Sequence, residues 1–149
     1  MAEILIDTNV LVYAHDRTDL RKQHRALAVL DRLAETALGI LSTQSLAEFC
    51  AVAMYKIPSP LSPEQAYAQV AHLMRVWPTV DITPQLVLEA VRGVRDYQLS
   101  YWDAQLWAAA SLNNVPLIFS EDFKPGATIE GVRFVDPFAE DFQPRDWGL

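Results

Sequence analysis

The sequence predicts a single α/β domain with a mainly parallel sheet, and three observations predict it. Short apolar runs, Ile4-Leu5-Ile6, Gly39-Ile40-Leu41 and Pro116-Leu117-Ile118-Phe119, alternate with longer segments whose apolar residues recur at helical spacing. The runs are continuous rather than alternating, as strands covered on both faces require. The chain has 149 residues, close to the roughly 150 expected of one domain.

The first run stops at Asp7-Thr8-Asn9, residue types that cap helices, so a strand leads directly into a helix. From Leu20 to Ala37, an apolar stripe of Leu20, Leu27, Leu30 and Leu33 with Arg21, Lys22, Arg25 and Arg32 among it predicts an amphipathic helix with a basic exposed face. The second strand ends at Ser42-Thr43, and Leu46, Phe49, Cys50 and Ala53 then share one side of a helix that also carries Glu48. Lys56-Ile57-Pro58-Ser59-Pro60 reads as a loop. Ser62-Pro63-Glu64-Gln65 combines an N-cap, a first-turn proline and a capping-box glutamine. The helix it starts has Ala66, Tyr67, Val70, Leu73, Met74 and Trp77 as its core stripe and is closed by Pro78, before the short run Val80-Asp81-Ile82. Thr83-Pro84 opens a helix to about Tyr97 that buries Leu86, Val87, Ala90, Val91 and Val94, and Ser100 opens an alanine-rich one. The Leu117 strand ends at Ser120-Glu121-Asp122, and after a loop from Gly126 to Gly131 the segment Val132 to Val135 is the last strand. Residues 1–138 are expected to form one domain, and 139–149 a short acidic tail without regular structure.

Composition excludes several classes. A hydrophobic fraction of 51% with 21% charged residues excludes wholesale disorder. Twelve Lys and Arg against nineteen Asp and Glu leave a net charge of −7 and a pI near 4.8. That is not the footprint of a protein that grips phosphates by charge alone, so a nucleic-acid partner needs a cation or a local basic patch. Cys50 is the only cysteine, which excludes an intramolecular disulfide and a cysteine zinc site and fits a reducing cytoplasm. Glu3 and Asp7 stand where a signal peptide carries basic residues, and the apolar run beside them falls short of the roughly 18 residues that span a bilayer, so neither secretion nor membrane insertion is expected. His15, His24 and His72 lack the spacing of a metal motif, and there is neither a glycine-rich phosphate loop nor a Gly-x-Ser-x-Gly elbow.

Open α/β sheets bind ligands outside the carboxyl ends of their strands, where loops and helix N-termini gather. Four acids fall there: Asp7 after the first strand, Glu48 in the helix after the second, Asp103 at the start of the alanine-rich helix and Asp122 after the Leu117 strand. Each alone could be a helix cap or a solvated charge. Brought together they repel, by roughly 4 kcal/mol for a pair 4 Å apart at an effective dielectric of 20, and a hard divalent cation removes that cost. Such an ion best supports attack of an activated water on a phosphodiester.

Ile4-Leu5-Ile6-Asp7-Thr8-Asn9, Ser45-Leu46-Ala47-Glu48-Phe49, Ser100-Tyr101-Trp102-Asp103-Ala104 and Ser120-Glu121-Asp122-Phe123, in that order, resemble the motifs of PIN-domain nucleases. The segment Gly131 to Phe138 is similar to the end of the VapC-type toxins. The resemblance implies a three-layer α/β/α PIN-like fold with a mainly parallel central sheet. It also implies a Mg²⁺- or Mn²⁺-dependent endoribonuclease with RNA as substrate, a homodimer, and a cognate antitoxin that holds the toxin inactive. Asp7, Glu48, Asp103 and Asp122 match the acidic quartet, with Asp7 and Asp103 as direct ligands, Glu48 completing the site, and Asn9 and Ser120 as supporting positions. Glu121 is a candidate substitute for its neighbour Asp122, and Pro137 stands where relatives often have asparagine.

Arg17, Arg21 and Lys22, with Arg25, are candidates for gripping phosphate, and Trp102, beside Tyr101, for stacking on an unpaired base. Two alternatives stand beside the toxin reading: a PIN-type RNA-processing nuclease without an antitoxin, and a non-catalytic, receiver-like module whose acids bind one Mg²⁺.

Overall fold

The computed structural model of the chain describes residues 1–124 and 126–149. Its strands are β1 (Ile4–Ile6), β2 (Gly39–Ser42), β3 (Thr79–Val80), β4 (Leu117–Phe119), β5 (Thr128–Ile129) and β6 (Val132–Val135). The helices are α1 (Thr8–Tyr13), α2 (Leu20–Thr36), α3 (Thr43–Tyr55), α4 (Pro63–Val76), α5 (Pro84–Tyr97) and α6 (Tyr101–Leu112), followed by a 3-10 turn at Pro144–Trp147. The strands form one sheet in the order β3-β2-β1-β4-β6-β5, parallel except for the β5–β6 hairpin.

The continuous apolar runs exist because each strand faces two cores. Ile4, Ile6, Leu41, Phe119 and Val135 pack with Leu11, Leu33, Phe49 and Leu73 from α1 to α4 on one face. Leu5, Ile40, Ile118 and Phe134 pack with Leu86, Ala90, Trp107 and Ala108 of α5 and α6 on the other. The result is a three-layer α/β/α sandwich. The chain builds β1, β2 and β3 outward to one side and then returns to lay β4 against the free side of β1, so the topology switches direction between β1 and β4. At such a switch the loops after the two strands diverge and leave a crevice at the carboxyl edge. No described helix is long and apolar enough to cross a membrane.

The helix starts follow their local chemistry. Ser62 and Gln65 make the reciprocal bonds of a capping box at α4, and Thr83 Oγ1 accepts from Leu86 N at α5. Several expectations about side chains fail. Tyr67 and Met74 of α4 are exposed rather than core, and so are Val87, Val91 and Val94 of α5, because each helix buries only a narrow stripe, Ala66 and Leu73 in one and Leu86, Ala90 and Gly93 in the other. The segment taken as a loop before β6 contains β5, closed by Glu130 and Gly131, both at positive φ as a tight hairpin turn demands. The tail is not irregular throughout. Phe142 is buried edge-on against Phe119, Trp147 packs on the same ring, and Arg21 and Arg25 donate to the carbonyls of Phe138 and Pro137.

Gly93 lets α5 lie against Trp107 of α6, since a Cβ there would stand 2.9 Å from the indole Cε3. Helix propensity alone would make Gly93→Ala stabilising by about 1 kcal/mol. The fully buried Trp107 ring has no room to yield, so the substitution is expected instead to cost about 1–3 kcal/mol, read as a lower denaturation midpoint at unchanged slope.

Candidate active site

Asp7 is the last residue before α1 and serves as its N-cap, held at the switch point because β1 lies between β2 and β4. Its backbone N–H donates to Phe119 O of β4 at 3.0 Å. One carboxylate oxygen accepts from Thr8 N at 2.6 Å. The other accepts from Ser120 Oγ at 2.6 Å and Asn9 Nδ2 at 3.4 Å. Asn9 Nδ2 also reaches Asp122 Oδ2 at 3.2 Å, and Ser120 Oγ accepts from Asp122 N at 3.1 Å. Asn9 and Ser120 therefore join the β1 and β4 ends into one hydrogen-bonded unit that contains both aspartates.

Glu48 enters from α3. Thr8 Oγ1 donates to its Oε2 at 3.2 Å and Gln44 Nε2 to its Oε1 at 2.8 Å. Gln44 Nε2 also donates to Trp102 O, while Gln44 Oε1 accepts from Gln105 Nε2, whose amide oxygen in turn accepts from Tyr101 OH. This chain of neutral groups fixes Glu48 and ties α3 to the first turns of α6, where Asp103 lies half-buried. Gln44, Gln105 and Thr8 were not singled out as site residues from the sequence. The available signal was a glutamine at position 105 at the head of the alanine-rich stretch of α6, and it is only 4% exposed.

The four acids share one electrostatic neighbourhood. Burial pushes the Asp7 carboxyl up to about 7; the Ser120 and Thr8 bonds oppose this, and the charges of Asp122 and Glu48 add to it. Burial also raises Asp103, against the pull of the Ser120-like hydroxyl at Ser100 and with the same two carboxylates adding to the rise. As the side chains are set, no three His, Cys, Asp or Glu among the described residues stand close enough together to enclose an ion. The donor chemistry nonetheless fits a hard cation: carboxylate oxygens from several chain segments, and Asn9 Oδ1, buried with no hydrogen-bond partner among the described residues. A cavity of about 390 Å³, lined by both acidic and apolar side chains, opens over Asp7, Asn9, Glu48 and Asp122.

Other candidates lie elsewhere. Glu121 points away from Asp122: Lys22 Nζ donates to Glu121 Oε2 at 2.7 Å, and Tyr13 OH donates to its other oxygen. Lys22 also lies over the Tyr13 ring, 4.8 Å from its centre. Lys22 and Arg21 thus spend donors within the protein, whereas Arg17 is exposed with no hydrogen bond or ion pair among the described residues. Trp102 is 62% exposed, its ring set edge-on to Tyr101 at 5.2 Å.

Fold and site together define an α/β/α protein with an acidic crevice at the carboxyl edge of its sheet. A model of the PIN domain matches residues 4–125, and the chain belongs to the PIN-domain family. That membership displaces the receiver-like alternative. No curated protein matches the sequence significantly. Among solved structures, the toxin VapC20 of Mycobacterium tuberculosis, which cleaves the sarcin-ricin loop, is similar over 88% of this chain and 99% of its own, at 19% identity and a TM-score of 0.64. A toxin-antitoxin complex from Klebsiella pneumoniae is similar over 91% and 98%, at 18% identity and 0.62. DNA-bound VapBC from Salmonella typhimurium is similar over 92% and 99%, at 17% identity and 0.62. At these identities the likeness is one of fold.

The raised Asp7 carboxyl links stability to pH. Between its usual 3.8 and about 7, the folded chain holds a proton that the unfolded chain has lost. The associated stability is complete below 3.8 and disappears as pH rises through 7, an effect on the order of 4 kcal/mol. Cation-free wild type is therefore expected to melt at lower temperature as pH goes from 5 to 8, and Asp7→Asn to flatten that slope. Parallel melting profiles for the two proteins would show that Asp7 titrates as an ordinary exposed carboxyl.

Proposed function

We propose that the chain is a metal-dependent endoribonuclease that cleaves RNA phosphodiester bonds, the toxin of a toxin–antitoxin pair. The observation that carries this reading is that Asp7 and Asp103, both raised by burial, also feel the charges of Glu48 and Asp122, while no Lys or Arg among the described residues forms an ion pair with any of the four. PIN-domain membership supports the nuclease class. The solved relatives described as toxins and toxin–antitoxin complexes support the toxin role and an antitoxin partner.

Asp7 and Asp103 would hold Mg²⁺ or Mn²⁺ directly, with Glu48 and Asp122 completing the set. The bound ion supplies a water of lowered pKa and charge neutralisation at the phosphate oxygens. The protein's own groups set the geometry. Ser120, Asn9 and the Thr8 N–H fix the Asp7 oxygens, and the Gln44–Gln105 chain fixes Glu48, which would accept a proton from an attacking water. Arg17, exposed and with no hydrogen bond or ion pair among the described residues, would be available to a flanking phosphate. An antitoxin segment carrying a basic side chain would compete for the acids, and a homodimer and a cytoplasmic location accompany the reading.

Incubating the protein with a mixed structured RNA is expected to give cleavage by wild type with Mn²⁺, none with EDTA, and less than about a hundredth of the wild-type rate for Asp7→Asn, as the loss of several kcal/mol of transition-state stabilisation implies. Failure of wild type to bind Mn²⁺ at millimolar concentration by calorimetry would falsify the catalytic reading. Growth arrest on expression of wild type but not of Asp7→Asn separates a toxin from an RNA-processing nuclease.

A further inference from the structure

Beside the cavity over Asp7 lies a second one, of about 470 Å³, lined by Gln44, Ala47, Glu48, Ala51, Val52, Lys56, Ile82, Trp102 and Gln105. The two share Glu48, Val52 and Lys56, so they form one trough whose halves differ in chemistry. One half is acidic. The other has an apolar floor from α3 and two exposed apolar walls, Ile82 at 39% and Trp102 at 62%. Lys56, the C-cap of α3, stands at the junction, exposed and with no ion pair among the described residues.

A nucleotide has the same division: a flat apolar base joined to an anionic phosphate. We propose that the apolar half of this trough receives one unpaired nucleobase of the RNA next to the cleaved phosphate, stacked on Trp102, with Lys56 engaging the phosphate that follows it. This rests on the nuclease reading of the acidic half. The indole is presented in a set orientation, since Gln44 holds its backbone carbonyl at 3.1 Å and Tyr101 abuts its ring. A base can reach it only after leaving its helix, because in A-form RNA both faces of each base are already stacked, which selects single-stranded or looped substrate. Both Gln44 N–H donors are spent on Glu48 and Trp102 O, so the Gln44 amide has no donor left for a base edge and stacking on Trp102 is the main contact proposed.

The test uses a fluorescein-labelled mixed-sequence single-stranded RNA and the same strand annealed into a duplex, with anisotropy read on the non-cleaving Asp7→Asn protein. Adding Trp102→Ala is expected to weaken single-strand binding about 5- to 100-fold while leaving duplex binding unchanged, and Trp102→Phe to restore most of the loss. Adding Lys56→Gln is expected to lower the salt slope of single-strand binding by about 0.7, the value of one phosphate contact. Equal single-strand affinity with and without the Trp102 side chain overturns the proposal. So does a loss of dimer on sedimentation of Trp102→Ala with affinity per protomer unchanged, which would make the trough a subunit interface. A Mn²⁺ titration of wild type keeps the two readings apart. Cation binding together with Trp102-independent RNA binding removes the trough alone, whereas Trp102-dependent RNA binding without cation binding removes the nuclease reading and leaves the trough.

Discussion

Asp7 sits at the end of the central strand, 8% exposed, with hydrogen bonds to both carboxylate oxygens and no ion pair from any described residue. Removing a carboxylate from water is costly unless it is compensated, and here every compensating partner is neutral: a backbone N–H, a hydroxyl and an amide. Neutral donors orient the oxygens without cancelling their charge. The residue cannot move outward to relieve the cost, since β1 is paired on both sides and its neighbours in the chain face the two cores. The protein consequently concentrates unneutralised acidic groups at the carboxyl end of its central strand. Anything cationic that binds the folded chain there stabilises it by mass action.

The other three acids come from separate elements, and two of them are held by neutral donors that leave their charge unpaired. Glu48 is oriented by an amide chain running through Gln44 and Gln105 to Tyr101, which links α3 and α6 without introducing a positive charge. Asp122 is steadied by Asn9 and Ser120. The one nearby ion pair, Lys22 with Glu121, is turned toward Tyr13 and Phe138 on the side of α2, where it anchors the start of the loop that carries Asp122. Lys22 paired with Glu121 braces the loop without pairing with the acids of the cavity, and Lys56, which lines that cavity, forms no ion pair with them among the described residues.

The order of strands and acids was legible because it rests on local chemistry: a buried strand must be apolar throughout, and the residue after it begins a helix and must cap it. Those two rules place Asp7, whereas Glu48, Asp103 and Asp122 are picked out by lying near strand ends or helix starts and by the PIN motifs. What stayed hidden depends on packing between distant segments. Gln44 and Gln105 look like solvated helix positions until α3 and α6 are placed together. Lys22 reads as a free surface charge until the loop after β4 arrives. Tyr67, Met74, Val87 and Val91 fall within apolar stripes wider than the faces the helices bury, and periodicity does not say which edge of a wide stripe meets the sheet. A strand as short as β5 has no period at all.

A chain of net charge −7 that acts on a polyanion must gain its affinity at short range. At physiological ionic strength charges more than about 8 Å apart are largely screened, so the distributed acids of α4, α5 and the tail repel an RNA weakly, and the outcome is decided by the groups in contact. There, on the proposed reading, the surface is partitioned. The acidic cavity would depend on a cation to accept phosphate, while the apolar half beside it would offer stacking, an attraction that charge does not oppose and salt does not screen. Lys56 sits where the two meet. With this division the acids could remain crowded and unneutralised, as hard-cation chemistry needs, because holding the substrate would be left to an apolar surface and a single lysine.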